Sequence, residues 1–352
     1  MITKKTMLML LAIMLVLILT SCGKSKDVLY IFNWSDYIDP ELIEEFEAQN
    51  KCKVKYSTYD SNENMLTKIK SSRESFDLVF PSGDHVTIMK NAELLEPIDK
   101  SKLTNYKNLD NALLYKAESF DEGNQYSIPY FWGLTGMIYN KKYVPAEVVQ
   151  SKSWGIIGNE FFKDKNKITM LDDGREVIGA ALVHNGFDLN DTSEAALKAA
   201  KATLETWDPH ITQFDSDSYK NEVPDGTTWL AQAYNGDALQ QMATNSDLDF
   251  FLPVEGSSLW MDNIAILKSS KNKELAYKFV DFLLDKNNAR RNSEYTQYPT
   301  PNKAANDLLD NAVKNNPLIY PDETYLEKCY MIKALDEDVK KIDVLYEAIK
   351  LN

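Results

Sequence analysis

Val-Leu-Tyr-Ile-Phe-Asn, residues 28–33, begins the part of the sequence that decides the fold. This β-rich run is followed by an amphipathic helical pattern, which Asp39 would cap and Pro40 would start. Residues 53–59 alternate as a second strand, and after a second helical pattern residues 78–80 form a short buried strand. The order βαβαβ predicts a parallel sheet with right-handed crossovers and therefore an α/β fold.

A second α/β set begins near residue 168. Its strands and helices are expected at residues 168–171, from about 175, and at 194–206, 230–234, 249–253, 260–267 and 272–284, with two more helical stretches toward the C-terminus. At 352 residues the chain is long enough for about two domains. No linker rich in serine or glycine separates the two sets, so we expect ordered strands to connect them.

Composition and missing motifs exclude several classes of protein. The chain has 39 basic and 53 acidic side chains, a formal charge of −14, whereas nucleic-acid binding needs a basic surface. The three cysteines have no CxxC spacing and no nearby histidine ligand, which argues against a zinc site. There is no HExxH, GxSxG, GxGxxG or GxxxxGK motif. The sequence therefore predicts a protein that is not an enzyme, with no metal, cofactor or nucleic acid.

The first residues predict export and a lipid anchor. The basic pair Lys4-Lys5 precedes the apolar run Met7–Leu19, whose 13 residues are too few for a membrane-spanning helix of about 20. Leu19-Thr20-Ser21-Cys22 resembles a bacterial lipobox, in which diacylglycerol is attached to the cysteine. We predict a lipoprotein signal peptide over residues 1–21 and a lipidated tether over residues 22–27.

Acidic and aromatic side chains recur where strands are expected to end. These segments are Trp34-Ser35-Asp36-Tyr37, Ser82-Gly83-Asp84, Asp172-Asp173-Gly174-Arg175-Glu176, Tyr234-Asn235-Gly236-Asp237 and Trp260-Met261-Asp262. Ligands of open α/β sheets bind beyond the carboxyl ends of the strands. A single aspartate there more often caps a helix, and a single tryptophan packs in the core at least as often as it binds a ligand. Capping does not explain repeated acid–aromatic pairs, and both groups attract ammonium ions, so we predict a site for an organic polycation.

Two other functions would use the same residue types. An exported polysaccharide hydrolase needs two carboxyl groups beside the scissile bond and could use tryptophans as platforms. A sugar-binding lipoprotein would stack aromatic rings on pyranoses. A sugar site mixes Asn, Gln, Arg and Asp, whereas six candidate acids here face Arg175 as the lone nearby arginine, which favours a cation.

Longer stretches resemble the polyamine-binding proteins of bacterial spermidine/putrescine ABC importers, over nearly all of the mature chain. They are Phe32–Ile38, Tyr56–Glu63, Phe76–Ser82, Asp99–Thr104, Tyr126–Tyr130, Asp172–Val177, Trp260–Asp262 and Tyr298–Asn302. The resemblance implies a type II periplasmic binding protein, with two α/β lobes and a ligand cleft between them. Lobe 1 would comprise residues 28–136 plus 259–303, and lobe 2 residues 137–258 plus 304–352.

The same resemblance implies a set of ligand-binding residues. Aromatic side chains would flank the methylene chain, and carboxylates would hold the amines, with Asp262 at a central or secondary amine. The set is Trp34, Ser35, Asp36, Tyr37, Ser82, Asp84, Asp173, Glu176, Tyr234, Asp237, Trp260, Asp262 and Tyr298.

Departures from the family pattern concern specificity. Spermidine-type members carry an aromatic residue in place of Asp84, and a late glutamine of the family has no clear counterpart near residues 331–333. Asp36 and Asp237 are typical of putrescine-type members, whereas residues 172–176 are typical of the spermidine type. We expect spermidine as the ligand, with putrescine also bound, in a monomeric lipid-anchored receptor at the cell envelope that delivers its ligand to an ABC permease.

Overall fold

The computed structural model describes residues 27–71 and 75–351. The predicted signal peptide and Cys22 lie outside the described residues. Across the described ranges, no helix has both the length and the apolar character needed to cross a membrane.

Within the described residues, ten strands form one continuous sheet. They are β1 (Val28–Trp34), β2 (Lys53–Tyr59), β3 (Leu78–Val79), β4 (Ile128–Asn140), β5 (Ile168–Met170), β6 (Ile211–Phe214), β7 (Leu230–Tyr234), β8 (Leu248–Phe251), β9 (Ser258–Ile266) and β10 (Tyr330–Met331). The main order is β2-β1-β3-β9-β4-β7-β5-β6, with β10 on β9 and β8 on β4. The first half of the sheet thus contains β1 to β3 and the second half β5 to β7.

The long strands β4 and β9 join the two halves. Residues 128–134 of β4 pair with β9, whereas residues 135–139 pair with β7 in the second half. Every residue of both strands is buried. The expectation of ordered strands between the two α/β sets is therefore confirmed, although the sequence did not predict β4 itself.

The sheet is mixed, which corrects the expectation of a parallel sheet. Strand β1 is parallel to β2 and β3, and β5 is parallel to β6 and β7, as the βαβ order predicts. Strands β4 and β9 run antiparallel to their neighbours in the main order. They join segments far apart in the chain, so no local βαβ unit sets their direction.

Helices cover the sheet. They are α1 (Pro40–Asn50), α2 (Asn62–Ser71), α3 (Gly83–Asn91), α4 (Asn111–Ala117), α5 (Ala146–Val149), α6 (Gly174–His184), α7 (Glu194–Trp207), α8 (Tyr219–Asp225), α9 (Asn235–Thr244), α10 (Lys273–Leu283), α11 (Lys286–Thr296), α12 (Lys303–Asn306), α13 (Asn311–Lys314), α14 (Glu323–Leu326) and α15 (Val339–Lys350). Asp39 caps α1 by accepting a hydrogen bond from the Glu41 N–H, as predicted. After α10 the described chain has five helices, three of them only four residues long, where the sequence predicted two.

Each half of the sheet has its own buried core. Trp154, Phe162 and Trp207 pack in the second half, with α15 returning to cover α6. Phe46 and Phe279 meet edge to face in the first half, with ring centroids 4.9 Å apart. The two cores hold the strand ends of each half in place.

Helix α7 begins at an exposed serine whose contribution can be measured. The Ser193 hydroxyl accepts a hydrogen bond from the Ala196 N–H at 3.3 Å. We expect Ser193→Ala to lower the free energy of unfolding by about 1 kcal/mol, because one N–H of the first turn loses its partner. Urea denaturation measures this change. Ser193→Asp keeps an acceptor and should retain wild-type stability, so an equal loss in both variants would contradict the capping role.

Candidate functional site

A cavity lies where the carboxyl ends of the parallel strands from both halves meet. It contains about 980 Å³ of empty space, part of it open to solvent. Its lining comes from the segments that follow β1, β2, β3, β5, β6 and β7, together with β9, β10, Ile332 and Tyr298. Sites for small molecules occupy this position in α/β folds.

Twelve of the thirteen predicted site residues line this cavity. They are Trp34, Ser35, Tyr37, Ser82, Asp84, Asp173, Glu176, Tyr234, Asp237, Trp260, Asp262 and Tyr298. Asp36 is not part of the lining. Its largely exposed carboxylate accepts a hydrogen bond from Lys220 Nζ at 3.2 Å.

Asp262 is held in the middle of a strand. Trp260 to Asp262 belong to the interior of β9, which corrects the expectation that they follow a strand end. The Tyr37 hydroxyl and the Ser82 hydroxyl each donate to the Asp262 carboxylate at 2.8 Å. Burial raises the pKa of Asp262 to about 7, although these two hydrogen bonds oppose the rise. The carboxylate is therefore oriented by neutral donors, and no basic side chain of the described part of the chain forms an ion pair with it.

Two further carboxyl groups lie at the start of α6. Asp173 caps the helix by accepting from the N–H groups of Arg175 and Glu176, at 2.8 and 3.2 Å. Ser258 Oγ lies 2.9 and 2.7 Å from the two carboxylate oxygens of Glu176 and can donate to either. Burial and the neighbouring Asp173 raise the pKa of Glu176 to about 8. Burial and Glu63 raise the pKa of Asp173 to about 6. Both groups would gain from a nearby positive charge.

Asp84 differs from the other acids because it has a histidine partner. His85 Nδ1 lies 3.2 Å from Asp84 Oδ2, and His85 Nε2 lies 3.5 Å from Glu63 Oε1. Burial disfavours charge on both Asp84 and His85, but their attraction prevails, so the pKa of Asp84 is lowered and that of His85 is raised. The sequence predicted His85 only as a surface or core residue, whereas the structure places it in the cavity lining.

Aromatic rings form one wall of the cavity. Tyr234 meets Trp260 at a centroid distance of 5.6 Å, Trp260 meets Tyr298 at 5.3 Å, and Tyr298 meets Tyr37 at 5.2 Å, all edge to face. A Cβ on Gly133 would lie 2.2 Å from the Trp260 ring, so only glycine leaves room for this indole. These contacts fix an apolar wall whose ring faces can accept methylene or ammonium groups.

The cavity also contains residues that the sequence did not predict. They are Tyr59, Asp60, Asn62, Glu63, Gly83, His85, Arg175, Ser216, Asp217, Lys220, Met261, Met331 and Ile332. Tyr59 to Glu63 lie in a stretch that already carried the family resemblance, so that stretch was the available signal for them. Lys220 had no such signal. It adds a second strongly basic side chain to the lining beside Arg175.

Acidic groups still outnumber basic groups in the lining. The carboxyl groups are Asp60, Glu63, Asp84, Asp173, Glu176, Asp217, Asp237 and Asp262, and the basic groups are His85, Arg175 and Lys220. Among the described residues, no group of three or more His, Cys, Asp or Glu side chains could hold a metal ion. An elongated organic cation with several charges fits this combination of separated acids and aromatic wall.

Comparison with known proteins agrees with this geometry. The family model for bacterial extracellular solute-binding proteins matches residues 41–321. The spermidine/putrescine-binding periplasmic protein of Salmonella typhimurium is 37% identical over 326 residues, which cover 92% of this chain and 91% of that protein.

Two solved structures share the fold across nearly the whole chain. The substrate-binding protein of a spermidine/putrescine ABC transporter from Streptococcus pneumoniae has a TM-score of 0.78 and 34% identity, covering 93% of this chain and 99% of that one. A lipoprotein of Treponema pallidum has a TM-score of 0.81 and 30% identity, covering 93% and 100%.

These relatives confirm three predictions from the sequence. They are the two-lobed α/β fold with a cleft between the lobes, the resemblance to polyamine-binding proteins of ABC importers, and the absence of an enzymatic role. The match to the family model extends over most of the chain and includes the ends of β2, β3, β5, β6 and β7 that line the cavity, whereas the end of β1 precedes it. The chain belongs to the bacterial extracellular solute-binding protein family.

Proposed function

We propose that this protein binds spermidine, and also putrescine, in the cavity between its lobes and delivers the ligand to the permease of an ABC importer. The observation that carries the proposal is the Asp262 carboxylate, which is 6% exposed, fixed by Tyr37 and Ser82, and in no ion pair with a basic side chain of residues 27–71 and 75–351. A buried carboxylate in this state gains most from a ligand cation, since the ligand supplies the missing charge.

The other lining residues would contact two different parts of the ligand, its methylene chain and its ammonium groups. Trp34, Tyr37, Tyr234, Trp260 and Tyr298 would flank the methylene chain. Glu176 and Asp173 would hold an end amine, and Ser35, Ser82, Asp84 and Asp237 would complete the polar contacts. Asp36 is left out of this set because Lys220 already pairs with it.

A sugar ligand fits the cavity less well. A neutral sugar brings no charge, so binding one would leave the buried Asp262 carboxylate without a cation from the ligand. The spermidine/putrescine-binding relative in Salmonella typhimurium also favours a polyamine.

The chain would use its two lobes to enclose the ligand. We propose lobe 1 as residues 28–136 plus 259–303 and lobe 2 as residues 137–258 plus 304–352, because the pairing partners of β4 change between residues 134 and 135. A ligand that contacts Asp262 in one lobe and Glu176 in the other would favour the closed arrangement.

The protein would act at the cell envelope as a monomer. Cleavage before Cys22 and lipidation of that cysteine would anchor it to the membrane by its N-terminus, in keeping with the lipoprotein relative from Treponema pallidum. Labelling of growing cells with a radioactive fatty acid tests this step. The wild-type protein should incorporate the label, and a Cys22→Ser variant should not.

Calorimetric titration tests the proposed ligand. The processed protein, with Cys22→Ser in place of the lipidated residue, should bind one spermidine per chain and also putrescine. It should give no binding heat with glucose, maltose or other neutral sugars. A folded protein that binds a sugar and neither polyamine would contradict the proposed function.

A further inference from the structure

A lysine side chain occupies one part of the cavity lining. Lys220 belongs to α8 and is 11% exposed. Its ammonium lies 2.5 Å from Asp217 Oδ1 and 3.2 Å from Asp36 Oδ2, so one contact stays within its own lobe and the other reaches the loop after β1. A buried ammonium is costly unless carboxylates surround it, and here two of them do.

A third carboxylate, Asp237, adds to this environment. Burial alone would lower the pKa of Lys220, but Asp237, Asp217 and Asp36 together raise it above its ordinary value, so the side chain stays charged. The two oxygens of Asp237 already accept hydrogen bonds from the hydroxyl groups of Tyr219 and Tyr298, at 2.7 and 2.6 Å. The Asp237 carboxylate is therefore oriented by the protein itself, and each of its oxygens can accept one further hydrogen bond.

The chemistry of the lysine side chain matches the expected ligand. Lysine carries a primary ammonium on a chain of four methylene groups, which is the same group as the aminobutyl end of a polyamine. Carboxylates arranged to hold one of these groups would also suit the other.

We infer that Lys220 is a tethered cation that fills one ammonium position of the cavity, between Asp36 and Asp217, and so limits the positive charge of the ligands that bind well. The inference rests on the proposed function. It makes Lys220 a residue that sets specificity, with the ammonium groups of the ligand directed to Asp262, Glu176 and Asp173.

Removing the lysine should open this position to the ligand. Lys220→Met keeps an unbranched side chain but leaves Asp36 and Asp217 without their cation. We expect spermidine to bind at least tenfold more tightly, with a smaller gain for putrescine, which carries one ammonium fewer. Adding Asp36→Asn to Lys220→Met should remove a large part of the gain, since that carboxylate would then be serving the ligand.

Calorimetric titration of the processed protein with both polyamines measures these affinities. Lys201→Met removes an exposed positive charge on α7, 3.9 Å from Glu205, and should stay within twofold of the wild type. If Lys220→Met does not fold, Lys220→Gln provides the same test with a polar side chain. An unchanged or weaker spermidine affinity in a folded Lys220 variant would overturn the inference alone, whereas a wild type that binds no polyamine would overturn the proposed function as well.

Discussion

Asp262→Asn is expected to weaken spermidine binding about 30- to 150-fold while the protein stays folded. The expected loss is about 2–3 kcal/mol, the range for removing one member of a buried, charge-assisted hydrogen-bonded pair. Asparagine keeps the size of the side chain and an oxygen that can accept from Tyr37 or Ser82. The substitution therefore mainly destabilises the bound state, in which the ligand ammonium no longer has a negatively charged partner.

A tyrosine–aspartate pair outside the cavity provides the control. Tyr139 donates its hydroxyl hydrogen to Asp249 at 3.0 Å, and Asp249 does not line the cavity. Asp249→Asn makes the same chemical change and should leave spermidine affinity within twofold of the wild type. Calorimetric titration gives both affinities, and thermal unfolding checks that each variant is folded. Equal affinities for Asp262→Asn and the wild type would remove Asp262 from the proposed site.

Local patterns were sufficient to predict much of the fold. The alternation in β2, the cap at Asp39 and the apolar face of α10 each depend on neighbouring residues, so the sequence located these elements closely. Strand β4 was missed because its 13 residues are buried on both faces and show no period of two. Its direction depends on pairing with β9, more than 100 residues later, which no local pattern encodes.

Residues of the cavity likewise divide into those that a local pattern identifies and those that only long-range contacts reveal. Trp34 and Asp173 were found because they follow predicted strands, where ligands of α/β proteins bind. Lys220 was missed because the residue that reveals its role, Asp36, lies 184 positions away and on the other lobe. The structure also changed the expected role of Asp36. Its carboxylate is not part of the cavity lining and pairs with Lys220, which is.

Spermidine affinity should fall at least tenfold when the pH is lowered from 8 to 6. The pKa values of Glu176 and Asp262 are raised mainly by burial, to about 8 and about 7, so both groups take up protons across this interval. The ligand amines, with pKa values near that of lysine at about 10.4, stay charged. The ammonium groups must then displace protons to bind.

Calorimetry at pH 7 in two buffers with different ionisation enthalpies should detect release of between about one and two protons per spermidine, as expected from the raised pKa values of Glu176 and Asp262. Glu176→Gln lacks one of the titrating groups and should release fewer protons, with a flatter dependence of affinity on pH. An affinity that stays constant from pH 6 to 8 would show that these carboxyl groups do not titrate when the ligand binds.

The same carboxyl groups should make the ligand-free protein less stable as the pH rises. A raised folded pKa means that the native state holds protons which the unfolded chain releases near pH 4, so stability falls between about pH 4 and the folded pKa values of Glu176 and Asp262. Thermal unfolding should therefore show a lower Tm at pH 8 than at pH 6 without ligand. Glu176→Gln should reduce this difference, because glutamine carries no proton to lose. Saturating spermidine should also reduce it, because bound ammonium groups replace the protons as partners of the buried acids.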